Sequence, residues 1–178
     1  MKKKQEKKTP AKKSGGKKPS KKAKAPAKET GPRIHLRFAF HFANDLGPMR
    51  RFYGEGLGMT ELMFVDEEPA GFLVYETEGL QLMFFRSEKP LLVADDWASQ
   101  PGWEGGAAEV DSWGIEVPEK ELGRTVERLR GLGAPFFKKD PEWRQTSYWG
   151  VSVRDPMGRT IEVYSVPKTK PRSTVWPG

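Results

Sequence analysis

The 178-residue chain contains no cysteine, which excludes a disulfide scaffold, a thiolate zinc site and a thiol nucleophile. Histidine is almost as scarce, with only His35 and His41, so imidazole chemistry has few places to occur. No stretch approaches the ~20 consecutive apolar residues of a membrane span, and no membrane partner is expected. The basic amino terminus has no apolar stretch behind it, unlike a secretory signal, and too little arginine for a mitochondrial transit peptide. A soluble, cytoplasmic protein is the expectation.

Acidic charge and aromatic rings are missing from one end only. Residues 1–33 hold thirteen lysines and Arg33 against Glu6 and Glu29, a net of +12, so the overall +7 leaves −5 on the remaining 145 residues. All 20 aromatics lie beyond residue 33. A segment of Lys, Ala, Pro, Ser and Gly cannot bury enough surface to offset the entropy of ordering, so 1–33 is expected to be a disordered basic tail. Its lysines could neutralise phosphates, but without interleaved aromatics any nucleic-acid contact would be non-specific. A solubilising leader fits the same composition.

From residue 34 the pattern changes to α+β. Residues 34–43 alternate, with Phe38, Phe40 and Phe42 on one face and Ala39, His41 and Ala43 on the other, as a strand does. Asn44 or Asp45 offers a cap for a helix carrying Leu46, Met49, Phe52, Tyr53 and Leu57, stopped by Gly58. Apolar runs at 60–65, 71–76 and 80–86 follow, separated by turn residues. The same order returns: a strand at 112–117, a helix from Pro118 to Arg130, and strands at 134–138, 147–154 and 160–166. The expected architecture is two tandem βαβββ modules curling around a cavity, over 34–86 and 112–166. A long connection at 87–111, with Trp97 and Trp103, suggests a cover. Residues 167–178 form a C-terminal tail.

Particular residues then carry a resemblance. Asp45-Leu46, Arg51-Phe52-Tyr53 and Leu57-Gly58-Met59 are similar to the opening of the vicinal-oxygen-chelate superfamily. That group includes glyoxalase I, bleomycin-resistance proteins, extradiol dioxygenases and fosfomycin-resistance enzymes. Trp149-Gly150 and Asp155-Pro156-Met157-Gly158-Arg159-Thr160-Ile161-Glu162 resemble its ending, with Arg159 in place of the usual Asn. The resemblance spans 34–166 and implies a cavity-forming fold, usually homodimeric. It also implies where a metal ligand would stand. The first-strand position is Phe38, the end of module one falls near Gln81, module two opens with Ser112 or Gly114, and only Glu162 matches outright.

One carboxylate and one amide are too few for a divalent ion, which wants three or four hard or imidazole ligands. No metal and no cofactor are therefore expected; if an ion binds, Glu162 with Gln81 and His41 would hold it. His35 and His41 share a strand face opposite the three Phe, so His41 reads as a structural histidine under the first helix unless a bulge turns it towards Glu162. Glu116 has the parity of Glu162. These two acids with Phe38, Phe40, Phe42, Gln81, Trp149 and Tyr164 form the candidate ligand-binding set, suited to a flat, polar or partly cationic aromatic molecule. The same aromatics would serve as ordinary core.

The leading expectation is small-molecule binding or sequestration by a homodimer without a complete metal triad. A metal-dependent lyase, isomerase or dioxygenase with an atypical site is one alternative. A nucleic-acid-associated protein acting through its Lys-rich tail is another.

Overall fold

A computed structural model of the chain describes residues 36–68, 70–100 and 106–178. The Lys-rich segment 1–33, His35 and Trp103 lie outside the described residues. Module one runs β1 (Phe38–Ala43), α1 (Leu46–Arg50), β2 (Thr60–Asp66), β3 (Gly71–Thr77) and β4 (Leu80–Arg86). Module two runs β5 (Ser112–Glu116), α2 (Leu122–Gly131), β6 (Glu142–Arg144), β7 (Tyr148–Arg154) and β8 (Thr160–Ser165). The sheets have orders β1-β4-β3-β2 and β5-β8-β7-β6. In each, the first strand pairs in parallel with the last and the other pairs are antiparallel. The repeat read from the sequence is a repeat of topology.

Each helix starts and stops for local reasons. The Asp45 side chain accepts from Gly47 N at 2.8 Å, an N-cap, and Pro48 costs nothing in a first turn whose N–H groups have no helical partner. α1 continues as a π-helical turn, Arg51–Gly56, before Gly58 ends it at φ +76°. A short 3₁₀ turn, Glu119–Glu121, precedes α2, so the helix expected from Pro118 begins later. α2 buries Leu122, Thr125, Val126 and Leu129, an i, i+3, i+4, i+7 stripe, and Gly133 at φ +75° closes it. The helices meet at Gly56, where a Cβ would lie 2.6 Å from Leu129. There Arg128 Nε donates to Gly56 O at 3.0 Å.

The strand expected at 134–138 is corrected. Only Phe136 forms an isolated bridge there, to Val153, and the edge strand of sheet two is Glu142–Arg144. Pro135 lacks a donor for a ladder, and the hairpin closing at residues 144–148 selects the later segment.

Buried side chains of both sheets and both helices form one core, including Tyr53, Phe84, Leu129, Val151 and Ile161. Tyr53 of module one donates to the buried Asp155 carboxylate of module two at 3.0 Å. Asp155 also accepts from the backbone N of Met157 at 2.8 Å and of Arg159 at 3.0 Å. Arg159, where the resembled pattern has Asn, pairs with Asp155 at 3.3 Å and reaches Phe42 O at 2.6 Å. The Asp-Pro-Met-Gly-Arg turn is thus a clasp between modules. Asn44 clamps the connection through both amide atoms, to Leu91 O at 2.9 Å and from Leu91 N at 2.7 Å. Among the described residues, no helix is long and apolar enough to cross a membrane.

Candidate functional site

Sheet two presents Ser112, Gly114, Glu116, Glu162, Tyr164, Gly150 and Ser152 on its face away from the helix, as the β5–β8–β7 register dictates. A cavity of about 980 Å³ stands over this face, lined by Ser112, Gly114, Glu142, Trp143, Arg144, Tyr148 and Glu162 among others. Ser99 and Gln100 of the connection form part of its wall. The connection is held there by Ala98 N donating to Thr160 Oγ1 at 2.8 Å and by Arg154 stacked over Trp97 at 4.9 Å. Its residues 99 and 100 thus line the cavity, and residues 101–105 lie outside the described residues.

Glu162 is the centre of the polar floor. Its Oε1 accepts from Arg144 Nη1 at 2.8 Å and from the Tyr148 hydroxyl at 3.0 Å. Arg144 also reaches Ser152 Oγ at 3.1 Å and Glu142 at 3.2 Å. The Arg144 and Glu162 side chains are 13% and 20% exposed, so the pair is shielded enough to be specific in geometry. Burial and then the hydrogen bond to Glu162 push the Tyr148 hydroxyl up to about 12. Gly150 makes room: a Cβ there would lie 3.0 Å from Tyr148, 3.1 Å from Glu162 Oε1 and 3.3 Å from Arg144.

The expected site residues separate into groups. Glu116, Glu162 and Tyr164 share this face, and the Tyr148 and Tyr164 rings meet edge-on at 5.3 Å. Trp149 does not join them. Its register partner is Ser165, on the reverse face of β7, where it is 5% exposed against Trp143 and Trp176. Phe38, Phe40 and Phe42 share the free face of sheet one with Gln81, Met83 and Phe85. They are 54%, 52% and 48% exposed, and none of the four candidate residues on that face lines the cavity over sheet two.

His41 lies on the opposite face of β1 from the three Phe. Its ring stacks on Trp113 at 4.6 Å and 20°, so its neighbour is the second sheet more than the first helix. Trp113 pairs with Ile161 while Gly114 pairs with Glu162. His41 is therefore on the far side of sheet two from Glu162. Burial, and then the nearby Arg159, lower its pKa from 6.5.

The positions that the resemblance marks for metal ligands hold three different groups. Phe38 offers a ring, Gln81 stands across from it on sheet one, and Glu162 is held by a guanidinium whose charge repels a second cation. Among the described residues no group of three or more His, Asp or Glu is arranged to hold a metal. Sequence reasoning missed Arg144, Tyr148, Glu142 and Trp143. The signal lay in their spacing, since Arg144 and Tyr148 flank a tight hairpin and so stand opposite each other on one face.

No protein-family model matches the chain, and no curated protein matches it in sequence. Solved structures match its fold. A glyoxalase/dioxygenase from Nostoc punctiforme is 22% identical, with 75% of this chain and 92% of that one covered and a TM-score of 0.56. A lactoylglutathione lyase from Agrobacterium tumefaciens is 20% identical over 76% and 96%, with a TM-score of 0.50. A fosfomycin resistance protein variant from Listeria monocytogenes, complexed with manganese(II) and a dihydroxypropylphosphonic acid, is 12% identical over 75% and 93%, with a TM-score of 0.52. With its paired βαβββ sheets, the chain has the fold of the vicinal-oxygen-chelate superfamily, the glyoxalase, bleomycin-resistance and dioxygenase group.

Proposed function

We propose that this protein binds and sequesters a small molecule in the cavity over sheet two, without chelating a metal ion, as a homodimer. The observation that supports this most is the engagement of Glu162 by Arg144 and Tyr148. The one carboxylate at a metal position already has a resident cation, and Phe38 replaces an ion-binding side chain with a phenyl ring. Affinity would come from enclosure against Phe137 and Tyr148, with orientation from Ser112, Gln145 and the Arg144–Glu162 pair. A half-open cavity of this size has room for a drug-sized ligand. The ligand class is a flat, polar aromatic molecule that hydrogen-bonds to the Arg144–Glu162 pair.

The dimer proposal rests on sheet one. A row of three half-exposed Phe beside Phe85, with Met63 52% exposed on β2, is an apolar face that the described residues leave uncovered. Faces of this kind mark interaction sites, and a second copy would cover it.

The experiment is elemental analysis of the purified protein, followed by tryptophan-fluorescence titration with a panel of flat aromatic amines and amides. Saturable quenching that is lost in Tyr148→Ala is expected. Near-stoichiometric zinc, nickel, manganese or iron would overturn the metal-free reading. Quenching unaffected by Tyr148→Ala would overturn the placement over sheet two.

A further inference from the structure

We propose that the reverse side of sheet two carries a second ligand site, for a flat aromatic carboxylate, beside residues 176–178. A cavity of about 830 Å³ lies there between α2 and residues 176–178, and it shares no lining residue with the cavity above Glu162. Its floor is Trp149 and Ser165, which is 1% exposed. Ser165 Oγ has no hydrogen-bond partner among the described residues. A buried hydroxyl without a partner is costly, and one that faces a cavity calls for a polar atom within it.

The walls are aromatic on one side and of mixed charge on the other. Trp176 meets Trp149 edge-on at 5.1 Å and 71°, leaving ring faces for a planar guest. Gly123 of α2 faces it: a Cβ there would make ordinary contact with Trp176 at 3.8 Å, and a longer side chain would reach into the groove. A helix accepts glycine at a cost of about 1 kcal/mol relative to alanine, and the open groove gives that cost a reason. Lys120, Arg124 and Arg128 line the site against Glu119 and Glu127. Arg124 and Arg128 turn to Glu121 at 3.1 and 3.9 Å. Lys120 makes no ion pair among the described residues, and a guest's carboxylate would lie at its end of the groove. The guest's ring lies against Trp149 and Trp176, and a ring N–H reaches Ser165 Oγ.

The test is calorimetric titration of the full chain with indole-3-acetate and, separately, indole-3-acetamide, which keeps the ring and size but carries no charge. Saturable binding of the acetate is expected, about two- to fivefold tighter than the amide at low salt, with the difference shrinking at about 0.5 M salt. Gly123→Leu favours the helix while filling the groove, so it should raise or preserve the melting temperature and weaken binding by about tenfold or more. Trp176→Ala should also weaken it, by removing one wall. No saturable heat with the acetate, or binding that survives Gly123→Leu, overturns the site. Equal binding of acetate and amide at low salt overturns the carboxylate assignment.

Discussion

Arg144 and Glu162 meet at 2.8 Å across sheet two, from an edge strand to a central one, with 17 residues of chain between them. The pair converts a carboxylate that could have gripped an ion into half of a neutral polar floor. Removing one partner leaves the other shielded charge without compensation. Arg144→Met should therefore cost about 1–3 kcal/mol in urea unfolding. The double variant Arg144→Met/Glu162→Gln should lose less than the sum of the singles.

Tyr148 reports on the same floor. Its hydroxyl titrates near 12, raised first by burial and second by its bond to Glu162. Glu162→Gln should lower that value while leaving it above the ordinary 10.0, because burial persists. A raised phenol stabilises the fold fully below pH 10.0, and this contribution is lost as pH rises through about 12. Ultraviolet titration of wild type against the variant checks both points.

His41 sets an acid limit. Its pKa is lowered in the folded state by burial and then by Arg159, with Asp111 and Asp155 opposing. Its contribution to stability is therefore full above the unfolded value of 6.5 and is lost as pH falls through the folded value. Melting temperature should fall between pH 7.5 and 5, and His41→Phe, which keeps the stack on Trp113, should flatten that part of the curve.

Gly158 joins the modules to their connection. It holds φ +80°, and a Cβ there would lie 1.8 Å from Ala94 O. Neither the backbone conformation nor the space admits a side chain. Gly158→Ala should cost about 3 kcal/mol or more and expose the connection at 87–100 to proteolysis.

The hairpin between β6 and β7 turns on Gln145 at φ +48° and Thr146 at φ +56°, with Ser147 N donating to Arg144 O at 3.0 Å. Two successive left-handed residues are the requirement of a type I′ turn, which favours Asn-Gly. Gln145→Asn with Thr146→Gly should raise stability by about 1 kcal/mol. Since Gln145 lines the cavity, the same change should weaken whatever ligand binds there, measured by the fluorescence titration.

The free face of sheet one yields a last expectation. Phe40→Glu places a charge in the middle of the exposed phenyl row and should convert a dimer to a monomer in light scattering, with little loss of melting temperature. An unchanged mass would remove that face from the interface.

Much of the fold was legible because it depends on short-range periodicity. The alternation of Phe38, Phe40 and Phe42, the Leu46–Met49–Tyr53 stripe and the Leu-Gly helix ends each express a local backbone geometry. Parity also placed His41 opposite the Phe row and Glu116 with Glu162. The site was less legible. Trp149 is aromatic and near Gly150, but one position along β7 decides which face a side chain takes, and Trp149 falls to the core. Arg144 and Tyr148 look like surface residues until the hairpin register brings them onto Glu162.

Residue order alone determined the doubled βαβββ pattern, the unequal distribution of charge and the want of imidazole and thiol donors, because these follow from which side chains occur and at what period. Only the tertiary structure decided that Glu162 has an arginine for its cation, that the Phe row and Glu162 face different spaces, and that Asp155 ties one module to the other. Those are contacts between residues distant in sequence, and their geometry is set by strand register and sheet packing, which no local pattern specifies.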